Sequence, residues 1–433
     1  MFETFRNAWK VTDIRKKIFY TLFILLIYRI GSVAVSVPFL DPAAVASMIS
    51  SASSATSSNL FGYIDVLTGG AFAKATIFAL AVYPYINSTI IMQLLTVAIP
   101  ALERMQKEGP EGQRKISKIT RYVTIGLSLI LSYFYYNLLR TSGAVEFTAG
   151  FSGFFAAVVI ILCFTAGSML VMWLGEQINE KGIGNGISVL IFIGIVARAP
   201  AAISLLMTAW SVGGTNYLFV PFIVILFLFI VGFIVLMTSA ERRIPVQYAK
   251  RVVGRKMYGG QNSHIPLKVN MSGVMPVIFA SSILAVPGTI ALFATPKAGG
   301  FWDKALSLFN TNSVLYAIIY FLLIIGFNYF YVAIQYNPIE ISNNLRKNNG
   351  GIPGIRPGKP TSDFISKSLS KVTMIGALFL GVIAILPIIL DQATGIRISL
   401  GGTTILILVG VALDTSRQME SMMMMRHHKG FLE

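Results

Sequence analysis

The chain has 433 residues, of which 55% are hydrophobic and only 12% are charged, and its formal net charge is +17. Soluble domains carry about 25% charged residues, so this composition excludes an ordinary soluble protein and indicates a polytopic membrane protein. The single cysteine, Cys163, excludes an intrachain disulfide.

Ten apolar runs are long enough to cross a bilayer, since a helix needs about 20 apolar residues to span roughly 30 Å of hydrocarbon. The first run follows Arg15, Lys16 and Lys17. It is longer than the apolar region of a signal peptide and lacks a clear cleavage site, so we interpret it as a span. The runs lie near residues 18–37, 74–97, 119–139, 152–174, 187–208, 217–238, 273–294, 313–336, 371–390 and 400–416. The sequence therefore predicts ten transmembrane helices.

A short apolar segment lies directly before the second run, in the stretch NLFGYIDVLTGGAFAKATIFALAVYPYI at residues 59–86. Residues 60–68 can form only two helical turns, and Gly69 and Gly70 supply a hinge. Asp65 would keep this segment out of lipid. Such backbone at membrane depth is tolerated only where it lines a cavity. The alternative is an ordinary surface loop.

Two glycine-rich stretches predict tight turns. In GEQINEKGIGNGIS, residues 175–188, three glycines lie near Asn185 just before the fifth run, as a compact turn followed by a helix start requires. In residues 343–364, Gly and Pro flank Arg356 on both sides. That arrangement predicts a tight turn that exposes the arginine, although a plain solvated loop is the alternative.

The loop at residues 239–270 predicts a two-stranded projection, because two partly alternating apolar and basic runs flank Val253 and Gly254. A basic loop that only obeys the positive-inside rule would explain the charge equally well. The alternation and the Gly and Pro residues favour a docking surface. Its basic residues are Arg242, Arg243, Lys250, Arg251, Arg255 and Lys256.

The 35 Lys and Arg residues fall mainly on one side of the predicted spans, in the N-terminus, alternate loops and the C-terminus. By the positive-inside rule, both termini are predicted to be cytoplasmic. The same bias explains most of the charge of +17, so that charge does not by itself indicate nucleic-acid binding.

Charged groups are scarce inside the predicted spans. Arg29 is the only clearly intramembrane charge, and Lys74 lies at an outer edge. Ion-coupled transporters need intramembrane carboxylates, histidines or lysines, which disfavours that class. The remaining polar residues of the spans are neutral, and hydrogen bonding between helices is their ordinary role. They are Asn87, Gln93, Ser281, Ser282, Asn328 and Gln335.

No catalytic or metal-binding pattern is found in the sequence. His264, His427 and His428 have no carboxylate or cysteine partner at metal-ligand spacing. Neither a Walker-type phosphate loop nor a GxSxG elbow occurs. We therefore expect no catalytic residue, no metal and no cofactor, and a conduit rather than an enzyme.

Six motifs together closely resemble the SecY family, the channel subunits of the bacterial Sec protein translocon. They are GGAFAKATIFALAVYPYINSTIIMQLL, GEQINEKGIGNGIS, RRIPVQYAKR, IPLKVNMSGVMPVIFASSI, PGIRPGKPT and GGTTILILVGVALD. The resemblance covers nearly the whole chain, in the order of the family. It departs at GSVAVSVPFLDP and at the Ser- and Ala-rich stretch after it.

The resemblance implies an all-α polytopic fold in which ten transmembrane helices form two pseudo-symmetric inverted halves, like a clamshell, with a plug helix. The N-terminal half would be 1–210, with spans 1–5 and the plug at about 60–72. The C-terminal half would be 211–433, with spans 6–10 and docking loops at 239–270 and 337–371. The implied plug residues are Phe61, Gly62, Ile64, Asp65, Leu67, Gly69 and Gly70.

The resemblance also implies a ring of aliphatic side chains that closes the pore, and a lateral gate between the second and seventh spans. The ring residues would be Val82, Ile86, Ile187, Ile191, Ile278 and Ile407. The gate residues would be Asn87, Ile91, Ser281 and Ser282. The motor or ribosome would dock on Arg243, Lys250, Arg255 and Arg356.

The implied function is a protein-conducting channel that translocates unfolded secretory polypeptides and releases transmembrane segments laterally into membrane lipid. The implied partners are SecE-like and SecG-like membrane subunits, the SecA motor ATPase, the translating ribosome, and signal peptides. The implied location is the bacterial inner membrane, with multiple passes. The rival class is a small-molecule secondary transporter, which would need charged or coordinating groups at mid-membrane.

Overall fold

The computed structural model describes residues 9, 11–41, 43–45, 47, 65, 68–147, 150–212, 216–248, 251–253, 256–258, 262–293, 313–394 and 402–429. The described chain is mostly helical, with five short strands. The helices are α1 (Thr12–Val33), α2 (Tyr83–Ala98), α3 (Pro100–Lys107), α4 (Pro110–Thr141), α5 (Gly150–Lys181), α6 (Gly186–Val212), α7 (Asn216–Ser239), α8 (Met275–Phe293), α9 (Val314–Gln335), α10 (Pro338–Lys347), α11 (Lys359–Thr394) and α12 (Gly402–Lys429).

The described helices overlap all ten predicted apolar runs. Within the described residues, six helices are long and apolar enough to cross a membrane, or up to seven if α2 and α3, bent by 101°, form one span. The protein is therefore a multi-pass helical membrane protein, as the hydropathy pattern predicts. That all ten runs cross the membrane stays a prediction.

The second predicted span, residues 74–97, becomes helical only at Tyr83, so its predicted start is wrong. Residues 68–82, which we call the turn segment, form consecutive turns instead, with Ala75 and Ala81 at positive φ. Pro84 lies in the first turn of α2. Proline has no N–H to donate to a preceding turn, so it suits a helix start and not a helix interior.

The described helices fall into two compact units. The first unit contains α1 to α6 and most of α12. In it, α1 packs on α5 and α6, while α4 lies between α2 and α5. The face of α4 buries a row of small polar residues, which allows close helix approach. These are Thr120, Thr124, Ser128 and Ser132.

The second unit contains most of α7, then α8 to α11 and the five strands. Helix α9 packs on α8 and α11. Asn328 of α9 donates from Nδ2 to the carbonyl oxygen of Thr373 in α11 at 3.0 Å and accepts from the Ser272 hydroxyl. Asn328 therefore has the hydrogen-bonding role between helices that the sequence predicts for it.

The five strands are β1 (Glu241–Tyr248), β2 (Arg251–Val253), β3 (Lys256–Tyr258), β4 (Asn262–Lys268) and β5 (Gly350–Gly351). Strands β2 and β3 pair antiparallel, with Val253 opposite Lys256, so the predicted two-stranded projection is confirmed. At its base β1 pairs with β4, and β5 adds a third strand in the order β4-β1-β5. We call this three-stranded structure the basal sheet.

An apolar cluster holds the basal sheet on α9, α10 and α11. Each fully buried aliphatic side chain of this kind contributes roughly 1.5–3 kcal/mol through removal from water. The buried members are Ile244, Val246, Leu267, Val332, Leu345, Ile352, Ile365 and Leu369. The two loops predicted as separate docking elements therefore form one body with a shared core.

Candidate functional site

The turn segment is buried in the first unit. The members that are at most 6% exposed are Thr68, Ala71, Phe72, Ala75, Thr76, Phe78, Ala79, Leu80, Ala81 and Val82. Irregular backbone at membrane depth must be covered by protein and must find hydrogen-bond partners. The turn segment meets the first condition, and its neighbours meet much of the second.

Three neighbouring elements supply those hydrogen bonds. The Tyr135 hydroxyl of α4 donates to the carbonyl oxygen of Phe72 at 2.7 Å, and the Ser168 hydroxyl of α5 donates to the carbonyl oxygen of Ala81 at 3.2 Å. The backbone N–H of Ile77 donates to the carbonyl oxygen of Val35, just beyond α1, at 3.0 Å. The turn segment is therefore a defined structural element held by its neighbours, and not a frayed end of α2.

Asp65 organises the start of this region. It is 5% exposed, and its Oδ2 forms an ion pair with a guanidinium nitrogen of Arg198 in α6. Its Oδ1 accepts the backbone N–H of Ala73 at 2.8 Å, and its backbone carbonyl accepts the N–H of Gly70 at 2.9 Å. The carboxylate therefore links Asp65 and Ala73 to α6.

The position of Arg198 corrects the prediction that Arg29 is the only charge inside a span. Arg198 lies within Gly186–Thr208, a helix apolar enough to cross a membrane. Its side chain is 29% exposed. A cation costs less at such a position when a carboxylate neutralises it, which is the role of Asp65 here.

Arg29 also contacts this region, from α1. Its Nη1 donates to the carbonyl oxygen of Gly69 at 2.9 Å. Gly69 and Gly70 have φ of +65° and +91°, a backbone conformation that glycine adopts without strain. A Cβ on Gly69 would lie 3.0 Å from the Cα of Gly194 in α6. The predicted hinge position therefore has the expected positive φ, at a close backbone contact with α6.

The structure describes three of the predicted plug residues, Asp65, Gly69 and Gly70. The other four predicted plug residues, Phe61, Gly62, Ile64 and Leu67, lie outside the described residues. The plug helix itself therefore stays a prediction.

The predicted ring residues of the first unit lie on three elements. Val82 precedes α2, and its carbonyl accepts the N–H of Ile86 at 3.0 Å, so this pair opens the first turn of the helix. Ile187 and Ile191 lie one turn apart on α6. Ile407, on α12, is 2% exposed.

The remaining ring residue and the gate residues are divided between helices. Ile278, Ser281 and Ser282 lie on α8 in the second unit, and the Ser281 hydroxyl donates to the carbonyl oxygen of Ile278 at 2.9 Å. Asn87 and Ile91 lie on α2 in the first unit. The roles of ring and gate stay predictions.

The predicted docking residues that the structure describes lie in the second unit. Arg243 is on β1, in the basal sheet, and Arg356 is exposed in the turn between β5 and α11. Gly354 and Gly358, with φ of +80° and +105°, bracket that turn, so its predicted glycine-shaped conformation is confirmed. Lys250 and Arg255 lie outside the described residues.

Arg243 has a local partner that the sequence does not reveal. Its Nε donates to Glu241 Oε1 at 2.7 Å, while 66% of the arginine side chain remains exposed. This hydrogen bond, helped by the charges of Arg243, His264 and Lys268, lowers the pKa of the Glu241 carboxyl. Glu241 therefore stays ionised at neutral pH, and the pair is lost only when the pH falls through that lowered pKa.

The turn at residues 175–188 also has its predicted form. Helix α5 ends at Lys181 and α6 begins at Gly186, with Gly184 at φ +89° between them. The Asn179 side-chain oxygen accepts the N–H of Gly186 at 2.7 Å, which satisfies a free donor at the start of α6.

Sequence reasoning missed Arg198, Glu241 and β5 (Gly350–Gly351). Arg198 was visible as a cation within the fifth apolar run, but its partner Asp65 lies far away in the chain. The sequence around Gly351 does not predict its pairing with Gln247, because glycine has a low propensity for β-strands.

These features define a class: a multi-pass helical membrane protein with a buried irregular segment before α2 and a small sheet formed by two of its loops. The SecY family profile matches residues 76–416. The chain belongs to the SecY family.

Curated relatives are similar to this chain over its full length. The chain is 42% identical over 449 residues to the protein translocase subunit SecY of Streptomyces coelicolor, covering 100% of both chains. It is 41% identical to the protein translocase subunit SecY of Thermotoga maritima, covering 100% of this chain and 98% of the relative.

Solved structures share the fold at low sequence identity. A SecY structure concerned with its plug domain aligns with a TM-score of 0.64 and 18% identity, over 94% of this chain and 92% of that chain. Sec61 in the canine ribosome-channel complex aligns with a TM-score of 0.62 and 17% identity, over the same shares. At these identities the likeness concerns the fold.

Proposed function

We propose that this protein is the channel subunit of a protein translocase, through which unfolded secretory polypeptides cross the membrane. The observation that carries the proposal is its membership of the SecY family over residues 76–416. It acts as a conduit and not as an enzyme. A translocating chain is driven by a partner, either a SecA-type motor ATPase or a translating ribosome.

The channel closes at the ring of Val82, Ile86, Ile187, Ile191, Ile278 and Ile407. Branched aliphatic side chains offer water and ions no hydrogen bonds, so a narrow ring of them excludes both by dewetting. The same side chains can yield around a passing polypeptide. This role rests on the resemblance of the motifs that contain these residues.

The lateral gate, at Asn87, Ile91, Ser281 and Ser282, sorts segments by partitioning. A segment of about 20 apolar residues gains free energy on leaving water for lipid, whereas each central charge costs roughly +2.5 to +3.5 kcal/mol on insertion scales. Membrane spans therefore leave sideways and secreted stretches pass through. The gate would lie between two inverted halves, 1–210 and 211–433.

The protein resides in the bacterial inner membrane with both termini in the cytoplasm, alongside SecE-like and SecG-like subunits. The charge asymmetry of its loops supports this orientation. The basal sheet and the β2–β3 hairpin then project into the cytoplasm, where a motor or ribosome can bind them.

The rival class is a small-molecule transporter. The contacts of the charged pair Asp65–Arg198 disfavour this class. Coupled transport needs a carboxylate oxygen that a coupling ion or proton can reach. Both carboxylate oxygens of Asp65 already have partners, Arg198 and the N–H of Ala73. This arrangement favours a structural role for the charge over a transport role.

Cross-linking of a stalled precursor tests the conduit. A photoreactive residue at Ile86 or Ile278 is expected to form adducts with a secretory precursor stalled during import. The same residue at Phe229, a 68% exposed position on α7, is the control and should form none. Absence of adducts at all six ring positions, with import intact, would contradict the proposal.

Charge reversal on the docking surface tests the motor contact. Arg356→Glu and the double change Arg243→Glu/Arg255→Glu are expected to lower precursor import roughly tenfold, because exposed charges govern docking rate and orientation more than folding. Import into vesicles with purified motor, and stimulation of the motor ATPase, measure the effect.

Arg140→Glu is the matched control for these variants. Arg140 is exposed at the end of α4, on the opposite predicted side of the membrane, and import should stay at the wild-type level. Full import by both docking variants would show that these loops are plain positive-inside connectors.

A further inference from the structure

A partly buried charged cluster lies at the start of the turn segment, contributed by three separate elements of the first unit. Arg29 comes from α1, Arg198 from α6 and Asp65 from the chain before the turn segment. Asp65 binds Arg198, and Arg29 binds the carbonyl oxygen of Gly69. Arg198 therefore holds Asp65, and Arg29 holds the backbone at Gly69.

Helix α6 is shaped to receive this region. Gly194 lets the backbone of Gly69 approach closely, and Arg198 lies one helical turn further along the same face. A Cβ on Gly70 would lie 3.6 Å from the Cζ and Nε atoms of Arg198. The guanidinium therefore lies directly over the Gly70 backbone, beside the carboxylate it neutralises.

The cluster is unbalanced. Among the described residues it contains two guanidinium groups and one carboxylate, and within the same part of the chain Arg198 Nε has no hydrogen-bond partner. Removing one partner from a buried ion pair leaves an uncompensated charge, which is strongly unfavourable. The position of Asp65 against α6 is therefore coupled to the charge of its carboxylate.

The backbone of this region can change conformation at two glycines, while Phe72 beyond them is held by the Tyr135 hydroxyl. Gly69 and Gly70 both have positive φ, and glycine passes between positive and negative φ at little cost. The Asp65 carboxylate accepts the N–H of Ala73, whereas the Asp65 backbone carbonyl accepts the N–H of Gly70, so release of the side chain would break the Ala73 hydrogen bond directly. A hinge and a single ion pair are the components of a two-state element.

We propose that the Asp65–Arg198 ion pair, supported by Arg29, is an electrostatic latch that holds Asp65 and the Gly69–Gly70 backbone against α6 in the closed channel and breaks when the channel opens. The inference rests on the proposed channel function and deepens it, because it names residues that determine the closed population. The latch makes Arg198 a positioning residue, acting through Asp65.

Neutralising either partner tests the latch. Asp65→Asn and Arg198→Gln are expected to raise the open probability in a planar bilayer about tenfold and to improve import of precursors with weakened signal sequences. The swap Asp65→Arg/Arg198→Asp should restore closure towards wild type. Lys74→Gln, which removes an exposed cation on the turn segment, is the control and should behave as wild type.

The outcomes separate the latch from a purely structural pair. Loss of yield and thermal stability without new conductance, in both neutral variants, would overturn the latch. Import of a precursor with a strong signal sequence by the wild-type protein tests the proposed function independently. Failure of that import would contradict the channel, whereas normal import with silent variants contradicts only the latch.

Amide hydrogen exchange of the wild-type protein gives a test that does not depend on any variant. The N–H groups of Gly70 and Ala73, bonded to Asp65 in the structure, should exchange at least about tenfold faster with a stalled precursor in the channel. The amide of Phe164, in the middle of α5, should be unaffected. Unchanged protection of Gly70 and Ala73 would overturn the latch.

Discussion

Ile278→Asn and Ile407→Asn are each expected to raise the ion conductance of the purified protein about tenfold. An amide side chain at the constriction binds water, so the closed state loses the dewetting that excludes ions. A shift of about 1.4 kcal/mol in the closed-to-open equilibrium corresponds to this tenfold change. Single-channel recording in a planar bilayer measures it, and precursors with weakened signal sequences should be imported more efficiently.

Ile283→Asn is the matched control for Ile278→Asn. Ile283 lies on the same helix, α8, and is 40% exposed, outside the predicted ring. It should leave the conductance at the wild-type level. A plain packing role predicts a different result, namely lower yield and stability with no new conductance, and finding that for both ring variants would remove the ring assignment.

Gly167→Ala is expected to lower the free energy of unfolding of the first unit by about 3 kcal/mol. A Cβ at Gly167 would overlap the carbonyl group of Ile77 in the turn segment. That group is backbone, so it cannot rotate away as a flexible side chain could. The thermal midpoint and the denaturant midpoint of the purified protein in detergent measure the effect.

Gly126→Ala on α4 is the matched control, since a Cβ there meets nothing within 4 Å. Alanine is favoured over glycine in a helix by about 1 kcal/mol, so stability should be unchanged or slightly raised. If Gly167→Ala were as stable as wild type, the close contact between α5 and the turn segment would be contradicted.

The sequence by itself determined the features that depend on local composition. The run at 313–336 became α9 (Val314–Gln335) and the run at 217–238 became α7 (Asn216–Ser239), because a bilayer requires a continuous apolar helix of fixed length. The β2–β3 hairpin and the exposed turn at Arg356 were equally predictable, since alternation and Gly or Pro placement act over a few neighbouring residues.

Other features depend on contacts between residues that are far apart in the chain, and only the tertiary structure determined these features. Helix α2 begins at Tyr83 because the turn segment before it is buried and forms hydrogen bonds with α4, α5 and the end of α1. The hydropathy of the sequence does not reveal such contacts. Arg198 is neutralised by Asp65, and β5 joins β1 in the basal sheet. Each of these pairs joins residues far apart in the chain, so the free energy that stabilises them appears only once the chain has folded.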